Sequence, residues 1–507
     1  MPCEDKLQCE RKRKMSFPCR RRVFYDDDVW DFCSPAARLN KSVYVVNPPL
    51  HVANRSVRDE DVWRTLSLPL REAWRAVRFP TTSHVAKRRS SEEEEGRRVS
   101  CSTAQRRAIV GFAAKFMRPF QVIALVLSAY RAMGADPCTN MHLFVTDPDH
   151  PMLLHLQALT TYSLDADVAA SMSPSELLTA KRSGKLRDSF LVLEAFKVYE
   201  GRVHSMSGNN HRVEVVRINV IRWWLQHGDG QRYHQFVFTD TRDAVFTGDI
   251  FRDVASTLRD ARAVTETDEY IYAATEEFPF FRQPRLGLQW NVEVHSTTFG
   301  YEMMMLMQKF HLDDYPFMRL INSGVYGGTY NALLDLFEIW GASAAAVYTE
   351  TFGVDQPLLG GLLYFGLRMA GYSHRAVLLS GSDGPLRHLY TDGGTEQKYP
   401  FMRLELHNGT RMFSDEFMRR VAAPSAHDEH PILHPSLTGT FEQAPGPHHL
   451  NCKGQRYSIV HQSDRYPLVW RSLTEPISGP TIAWAKANGV EWTWGPRKIK
   501  RKGKSSG

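Results

Sequence analysis

Two aspartates that lie three residues apart have the residue type and spacing of a metal site. Asp240 and Asp243 follow the apolar segment Gln235–Thr239, which predicts a buried strand that runs straight into a tight turn. Such a turn can hold one divalent cation between its carboxylates, because Mg²⁺ and Mn²⁺ accept carboxylate oxygens together with substrate phosphates. The alternative interpretation is an acidic turn that caps a helix beginning near Asp249.

Small and acidic residues stand at two further positions where predicted elements begin or end. The predicted strand Met318–Val325 ends in Asn322-Ser323-Gly324, and small residues there would let a sugar approach the backbone closely. Asp355 stands where an apolar helix begins, and a carboxylate at that place can serve as a general base. The alternatives are a plain strand-to-turn exit for the first segment and a simple helix cap for Asp355.

A histidine near the C-terminal end of the chain follows a short apolar strand. The segment Tyr457–Pro467 delivers His461 and continues with Asp464 and Arg465. A single histidine is more often structural than a ligand. Because His461 follows a strand, as the two aspartates do, we expect it to be a third metal ligand.

The elements that would position these residues alternate between strands and helices from residue 105 onward. The predicted strands are Ala108–Ala114, Met141–Asp147, Gln235–Thr239, Glu269–Ala274 and Met318–Val325, and the predicted helices are Arg118–Met133, Val213–Gln226, Asn331–Ile339 and Gln356–Met369. Such alternation predicts an α/β domain with a mainly parallel sheet flanked by helices. Ligands of these sheets bind beyond the carboxyl ends of the strands, where the candidate residues lie.

Composition divides the 507 residues into four regions. Residues 1–22 are polar and basic and are predicted to be disordered. Residues 23–104 form an N-terminal extension that includes a short helix in Asp59–Arg78 and a low-complexity, charge-rich linker near residues 87–100. The α/β domain is predicted over residues 105–470, and a C-terminal extension with a basic tail over residues 471–507.

Apolar residues make up 43% of the chain, which is enough for a large core and excludes a wholly disordered protein. The longest apolar runs, Val122–Tyr130 and Leu358–Leu367, are much shorter than a membrane-spanning helix, and residues 1–22 lack the apolar core of a signal peptide. We therefore expect neither a membrane anchor nor secretion. The seven cysteines are odd in number and widely scattered, so that we expect reduced thiols in a cytosolic or nuclear protein.

Positive charge is concentrated at the two ends of the chain. Residues 1–22 hold eight Lys or Arg against three acidic residues, and residues 497–507 hold six basic residues and no acidic one. The total of +7 is smaller than the charge of these two ends, so that residues 23–496 are net acidic. Basic clusters of this kind indicate a nuclear address or contact with nucleic acid, and the alternative is a tail that only aids solubility.

The order of four motifs resembles the nucleotide-diphospho-sugar transferases of the GT-A fold, a Rossmann-like α/β fold. The motifs are FTDTRDAVF, INSGVYGG, GVDQP and IVHQSDRYP, and with the opening strand and helix they span about Ala108 to Pro467. Each motif is weak alone, but their shared order resembles the branch with a TDxRD metal motif. The resemblance implies a metal-dependent enzyme that transfers a sugar from a nucleotide donor.

The same resemblance implies a role for each candidate residue. Asp240, Asp243 and His461 would bind the metal, with Asp240 also near the ribose, and His407 in the segment LELHNG would be a rival third ligand. The remaining assignments are Asn322, Ser323 and Gly324 on the donor sugar, Asp355 as catalytic base of an inverting reaction, and Arg222 on a donor phosphate or on Asp243.

Within the family, the basic ends and the apparent lack of an anchor resemble the base J-associated glucosyltransferases of kinetoplastids. This resemblance implies UDP-glucose as donor, hydroxymethyluracil in double-stranded DNA as acceptor and a nuclear location. Three alternatives stay open at this point. They are a transferase of the same fold with a protein or glycan acceptor, a catalytically inactive nucleic-acid-binding homologue, and, more distantly, a phosphohydrolase that uses the same acid pair.

Overall fold

The structure is a computed structural model. It describes residues 43–45, 51–52, 55–56, 68–77, 101–113, 119–197, 199, 213–265, 268–279, 319–346, 355–381, 384–388, 404–407, 410–413, 457–461 and 467–490. The predicted disordered segment 1–22, the linker near 87–100 and the basic tail lie outside these residues.

The described elements alternate along most of the chain. The strands are β1 Val43–Val45, β2 His51–Val52, β3 Arg55–Ser56, β4 Arg107–Ala113, β5 Thr139–Val145, β6 Leu191–Ala195, β7 Gln235–Thr239, β8 Val245–Phe246, β9 Tyr270–Pro279, β10 Arg319–Thr329, β11 Arg375–Leu379, β12 Leu386–His388, β13 Leu404–His407, β14 Thr410–Phe413 and β15 Ile459–His461. The helices are α1 Leu68–Val77, α2 Pro119–Met133, α3 Pro151–Leu159, α4 Ala166–Ser171, α5 Pro174–Arg182, α6 Val213–His227, α7 Ile250–Asp260, α8 Tyr330–Ala346, α9 Asp355–Gly361, α10 Leu367–Met369 and α11 Pro467–Ala487. A π-helical turn, Leu362–Gly366, joins α9 to α10.

A central eight-stranded sheet has the order β1-β11-β9-β10-β7-β4-β5-β6. Parallel pairing joins β6, β5, β4 and β7 at one side and β9 to β11 at the other, whereas β10 runs antiparallel to both of its neighbours. The edge strand β1 is also antiparallel to β11. The predicted α/β class with a mainly parallel sheet and flanking helices is therefore confirmed.

Both faces of this sheet are buried. The strand β5 is buried at every position and β4 at every position after its first. Such continuous apolar strands are typical of a sheet covered by helices on both sides. Because successive strand residues point to opposite faces, Val110 belongs to the core that contains Trp224 and Trp340, and Ile109 to the core that contains Leu125.

The predicted elements lie where the structure has elements of the same type, and most differences concern the residues at which they begin or end. The strand Gln235–Thr239 is found as predicted, and the predicted helices Val213–Gln226 and Arg118–Met133 each differ from α6 and α2 by one residue. The strand β10 continues to Thr329, because its backbone goes on pairing with β7 beyond the predicted end at Val325. Helices α3 to α5 and strand β6 were not predicted, and they follow the turn-rich segment after β5.

Parts of both predicted extensions pack on the domain. In α1, Trp74 is fully buried and its indole Nε1 donates a hydrogen bond to Ser343 Oγ of α8 at 2.9 Å. Helix α11 crosses the predicted boundary at residue 470, and its Trp484 stacks on His155 of α3 with ring centroids 3.9 Å apart. The division into regions stays a prediction. None of the described helices is both long and apolar enough to span a membrane.

One cysteine pair contradicts the prediction of reduced thiols. Cys101 and Cys138 form a disulfide that ties the segment before β4 to the segment before β5. The two segments are adjacent because β4 and β5 are parallel neighbours that begin side by side, with Arg107 opposite Thr139. Spacing along the sequence gave no sign of this pairing. The other five cysteines lie outside the described residues.

Candidate metal and donor site

Strand β7 delivers the first candidate acid to the centre of the sheet. Its last residue, Thr239, lies opposite Val325 of β10, and the backbone N–H of the following Asp240 donates a hydrogen bond to the Gly324 carbonyl at 2.7 Å. The carboxyl end of β7 and the segment Asn322-Ser323-Gly324 are therefore adjacent. The Asp240 side chain is 37% exposed, whereas Asp243 is buried.

A small three-stranded sheet brings His461 to the same place. Strand β8 follows Asp243 almost directly and pairs with β15, which ends at His461. As a result, His461 Nε2 lies 3.2 Å from Asp243 Oδ1 and 3.5 Å from Asp240 Oδ2. The three possible ligand atoms of Asp240, Asp243 and His461 all lie within 4.8 Å of one another.

This donor set fits a divalent metal. Two carboxylate oxygens with one imidazole nitrogen favour Mn²⁺ over Mg²⁺, which takes oxygen ligands almost exclusively. His461 and Asp243 are each 2% exposed in their side chains, so that a cation would be held largely inside the protein and reached from the side of Asp240. No other group of three such side chains was found among the described residues.

The charge of His461 and the charges of the two acids also stabilise one another. Burial lowers the pKa of His461, but the two carboxylates outweigh it and raise this pKa to about 9. Burial alone would raise the pKa of both acids. Arg217 and His461 nevertheless hold the pKa of Asp240 below its usual range, and His461 and Arg242 hold the pKa of Asp243 below its usual range. The acids are therefore ionised and need a positive neighbour, which is the imidazolium or a metal ion.

Gly324 makes room for the histidine. A Cβ atom at this position would lie 2.2 Å from His461 Cε1 and 2.4 Å from His461 Nε2. The Asn322 side chain fixes the local backbone, because its Oδ1 accepts a hydrogen bond from the Gly324 N–H at 2.7 Å. The prediction that these residues end a strand is wrong. They lie inside β10, at an irregularity where the register between β10 and β9 shifts between Ile321 and Tyr326. Beyond this irregularity β10 pairs with β9 again.

Asp355 lies next to this segment and is 4% exposed. Its Oδ2 accepts a hydrogen bond from Ser323 Oγ at 3.0 Å and a short one from the Arg217 guanidinium. Arg217 also donates to Asp240 Oδ1 at 2.8 Å. One guanidinium thus connects an acid of the candidate metal group to the candidate catalytic acid.

The predicted role of Arg222 is wrong in one respect. Its guanidinium donates to Glu338 Oε1 of α8 at 3.0 Å, and the arginine that pairs with Asp243 is Arg242, at 2.9 Å. Arg217 and Arg222 are separated by five residues on α6, which turns their side chains about 140° apart around the helix. Both arginines are partly buried, so that the pattern of apolar residues does not show which of the two reaches the acids.

His407, the rival third ligand, ends strand β13 of a two-stranded hairpin, where it pairs with Thr410 of β14. Its side chain lies outside the described residues. Among the side chains that the structure describes, His461 is the histidine that lies with Asp240 and Asp243.

Neither protein-family models nor curated proteins match the chain. Among solved structures, it is similar to the galactosyltransferase LgtC in complex with donor and acceptor sugar analogs, at 10% identity and a TM-score of 0.31, over 77% of this chain and 98% of that one. It is also similar to core-mannan synthase A of Aspergillus fumigatus in an Mn/GDP form, at 11% identity and a TM-score of 0.25, over 53% and 72% of the two chains. A third similar chain is the bifunctional glycosyltransferase WbbM, at 11% identity and a TM-score of 0.30, over 60% of this chain and 45% of that one.

Proposed function

We propose that this protein is a metal-dependent glycosyltransferase that uses a nucleotide-diphospho-sugar donor. The observation that carries the proposal is the convergence of Asp240, Asp243 and His461 from separate segments at the carboxyl end of β7. A metal bound there would neutralise the diphosphate leaving group, which is the chemistry that such a cation supplies.

The neighbouring residues suit a donor sugar. Asn322, Ser323 and Gly324 adjoin Asp240 on one side and Asp355 on the other. A sugar held against this segment would therefore lie between the diphosphate and a buried carboxylate. Arg217 keeps Asp240 and Asp355 in fixed positions, since it donates to both.

Asp355 is the group proposed to act as base. In a single displacement, the acceptor oxygen forms a bond to the anomeric carbon while the bond from that carbon to the diphosphate oxygen breaks. The electron pair leaves on the diphosphate, and Asp355 takes the proton of the acceptor hydroxyl. Inversion of an α-linked donor then gives a β-glycoside.

For the donor and acceptor, we propose UDP-glucose and hydroxymethyluracil in double-stranded DNA, with β-D-glucosyl-hydroxymethyluracil (base J) as product in the nucleus. The support for this choice is the resemblance to the base J-associated glucosyltransferases together with the two basic ends of the chain, whereas the motif order supports only the glycosyltransferase part of the proposal. Contacts between these Lys and Arg residues and phosphates would make DNA binding fall steeply with salt.

A protein or glycan acceptor is the second candidate, and one observation favours it. The disulfide between Cys101 and Cys138 is a feature of proteins that mature in an oxidising compartment, whereas nuclear thiols are mostly kept reduced. An enzyme of the secretory pathway would share the whole metal and donor site and would differ only in its acceptor. An inactive nucleic-acid-binding homologue is disfavoured, because the acids and the histidine are all retained.

A transfer assay separates these candidates. The purified full chain would be incubated with Mn²⁺, labelled UDP-glucose and either duplex DNA containing hydroxymethyluracil or a mixture of protein and glycan acceptors. Asp243→Ala is expected to abolish all turnover, and Asp229→Ala, at an exposed acid outside the site, serves as the matched control. Label in DNA supports the base J proposal, and label in protein or glycan replaces it with the second candidate. If UDP-glucose is not used, the assay is repeated with other labelled sugar nucleotides, and the absence of metal-dependent use of all of them contradicts the glycosyltransferase proposal.

A further inference from the structure

A second buried histidine stands directly behind His461. His388 ends β12, which pairs in parallel with β15, and the two histidines are register partners at the ends of their strands. Both side chains are almost completely buried, at 1% and 2% exposure. The two rings are perpendicular, with centroids 5.0 Å apart. None of the motifs in the sequence pointed to His388.

The rings are joined by a hydrogen bond between their Nδ1 atoms, which are 2.8 Å apart. A hydrogen bond of this kind contains one hydrogen, so one ring donates it and the other accepts it. The opposite nitrogen of His461, Nε2, is the atom that faces Asp240 and Asp243. The partner at Nδ1 therefore determines what the metal-facing nitrogen can do.

A neutral imidazole that binds a metal through Nε2 must carry its hydrogen on Nδ1. His461 can do so if His388 accepts that hydrogen with its own Nδ1. Histidine ligands of metals commonly have such a partner at the second nitrogen, which fixes both the tautomer and the orientation of the ring. On the other side of the ring, the backbone at Gly324 leaves no space for it to shift, since even a Cβ atom there would overlap it.

We propose that His388 is a positioning residue that accepts the Nδ1 hydrogen of His461 and so presents the Nε2 lone pair of His461 to the metal. This inference rests on the proposed metal site and adds to it a residue that touches neither metal nor substrate. Its effect is expected on metal affinity first and on turnover only as a consequence.

Three substitutions in the 507-residue chain test the geometry of this contact. His388→Asn keeps an amide oxygen at about the position of the ring Nδ1, whereas His388→Gln places its amide one carbon further along, and His388→Leu has no acceptor. Binding of Mn²⁺ alone would be followed by electron paramagnetic resonance, and unfolding of the metal-free variants would be measured beside it as the test of folding.

The expected result is that His388→Gln and His388→Leu weaken Mn²⁺ binding by roughly 10- to 100-fold, while His388→Asn stays within about threefold of the wild type. Equal affinity of the wild type and all three variants would overturn the role of His388 and leave the metal site standing. If His388→Asn weakened Mn²⁺ binding as much as His388→Leu does, the role of His388 would also be overturned, because the acceptor would then not matter. A wild type that binds no Mn²⁺ would contradict the metal site itself, and the role of His388 with it.

Discussion

His461 Nε2 and Asp243 Oδ1 lie 3.2 Å apart, although one residue ends β15 and the other follows β7. The contact exists because β15 pairs with β8, the two-residue strand that begins just after Asp243. Strand pairing thus brings together two segments that are distant in sequence, so that their side chains form one group of possible metal ligands. The small sheet of β12, β15 and β8 thus positions His461, whereas the large sheet positions Asp240 and the segment Asn322-Ser323-Gly324.

Replacement of Asp243 by asparagine is expected to lower the affinity for Mn²⁺ by at least about 100-fold, more than the loss of a supporting contact causes. The amide keeps the size of the side chain but removes the charge that faces His461 and Arg242. Isothermal titration calorimetry with Mn²⁺ measures the change. Asp229→Asn, at an exposed acid that pairs with Arg232, is the matched control and should bind as the wild type does. Equal binding by the two variants would refute the assignment of Asp243.

Replacement of Gly324 by alanine is expected to reduce Mn²⁺ affinity by about tenfold or more without unfolding the protein. The added methyl group would overlap the His461 ring, which must then move away from the two acids. Gly360→Ala is the control, because a Cβ atom there meets nothing within 4 Å and alanine suits its helix. Unchanged metal binding in Gly324→Ala would show that His461 is not held against this backbone.

The sequence was informative where a pattern is local. Strand β7 and the acids after it, the start of α9 at Asp355, and the strand before His461 could each be predicted from an apolar run and the polar residue that follows it. The convergence of these residues was expected from the general behaviour of parallel sheets. The structure reaches this convergence by antiparallel pairing, of β10 with β7 and of β15 with β8, which the sequence did not predict.

The sequence was not informative where a side chain depends on a distant partner. Arg217 and Arg222 lie on the same helix, and only its packing against the sheet decides which of them reaches Asp240 and Asp355. His388 lies in a three-residue strand that is defined by its pairing with β15. The pairing of Cys101 with Cys138 likewise depends on the parallel register of β4 and β5, which spacing along the chain does not encode.

The two arginines of α6 are expected to respond differently to substitution. Arg217→Met removes the partner of two acids, one of them buried, and should cost about 3–5 kcal/mol of unfolding free energy together with most donor turnover. Arg222→Met breaks a partly exposed pair with Glu338 and should cost about 1 kcal/mol or less. Denaturant unfolding and hydrolysis of UDP-glucose measure both effects. A larger loss of turnover in Arg222→Met would restore the role that the motif order first suggested.

Loss of the disulfide is expected to destabilise the protein by about 2–4 kcal/mol, because the bond closes a loop with a sequence separation of 37 residues. The variant carrying both Cys101→Ser and Cys138→Ser would be compared with the wild type in denaturant, each with and without a reducing agent. The wild type should lose stability on reduction, and the variant should not respond. If reduction leaves the wild type unchanged, the two thiols are not bonded in the purified protein, and the argument for an oxidising compartment falls.

The contact between α3 and α11 is expected to weaken in acid. Burial lowers the pKa of His155 from 6.5 to about 4, because the ring is stacked on Trp484 and shielded from water. The folded protein therefore binds fewer protons at His155 than the unfolded chain does between pH 6.5 and 4. Stability from this residue is present above pH 6.5 and is lost as the pH falls through that range, by up to roughly 3 kcal/mol. His155→Phe keeps a ring on Trp484 but cannot titrate, so the difference between its unfolding free energy and that of the wild type isolates His155. Parallel pH profiles of the two proteins would show that protonation of His155 does not oppose the docking of α11.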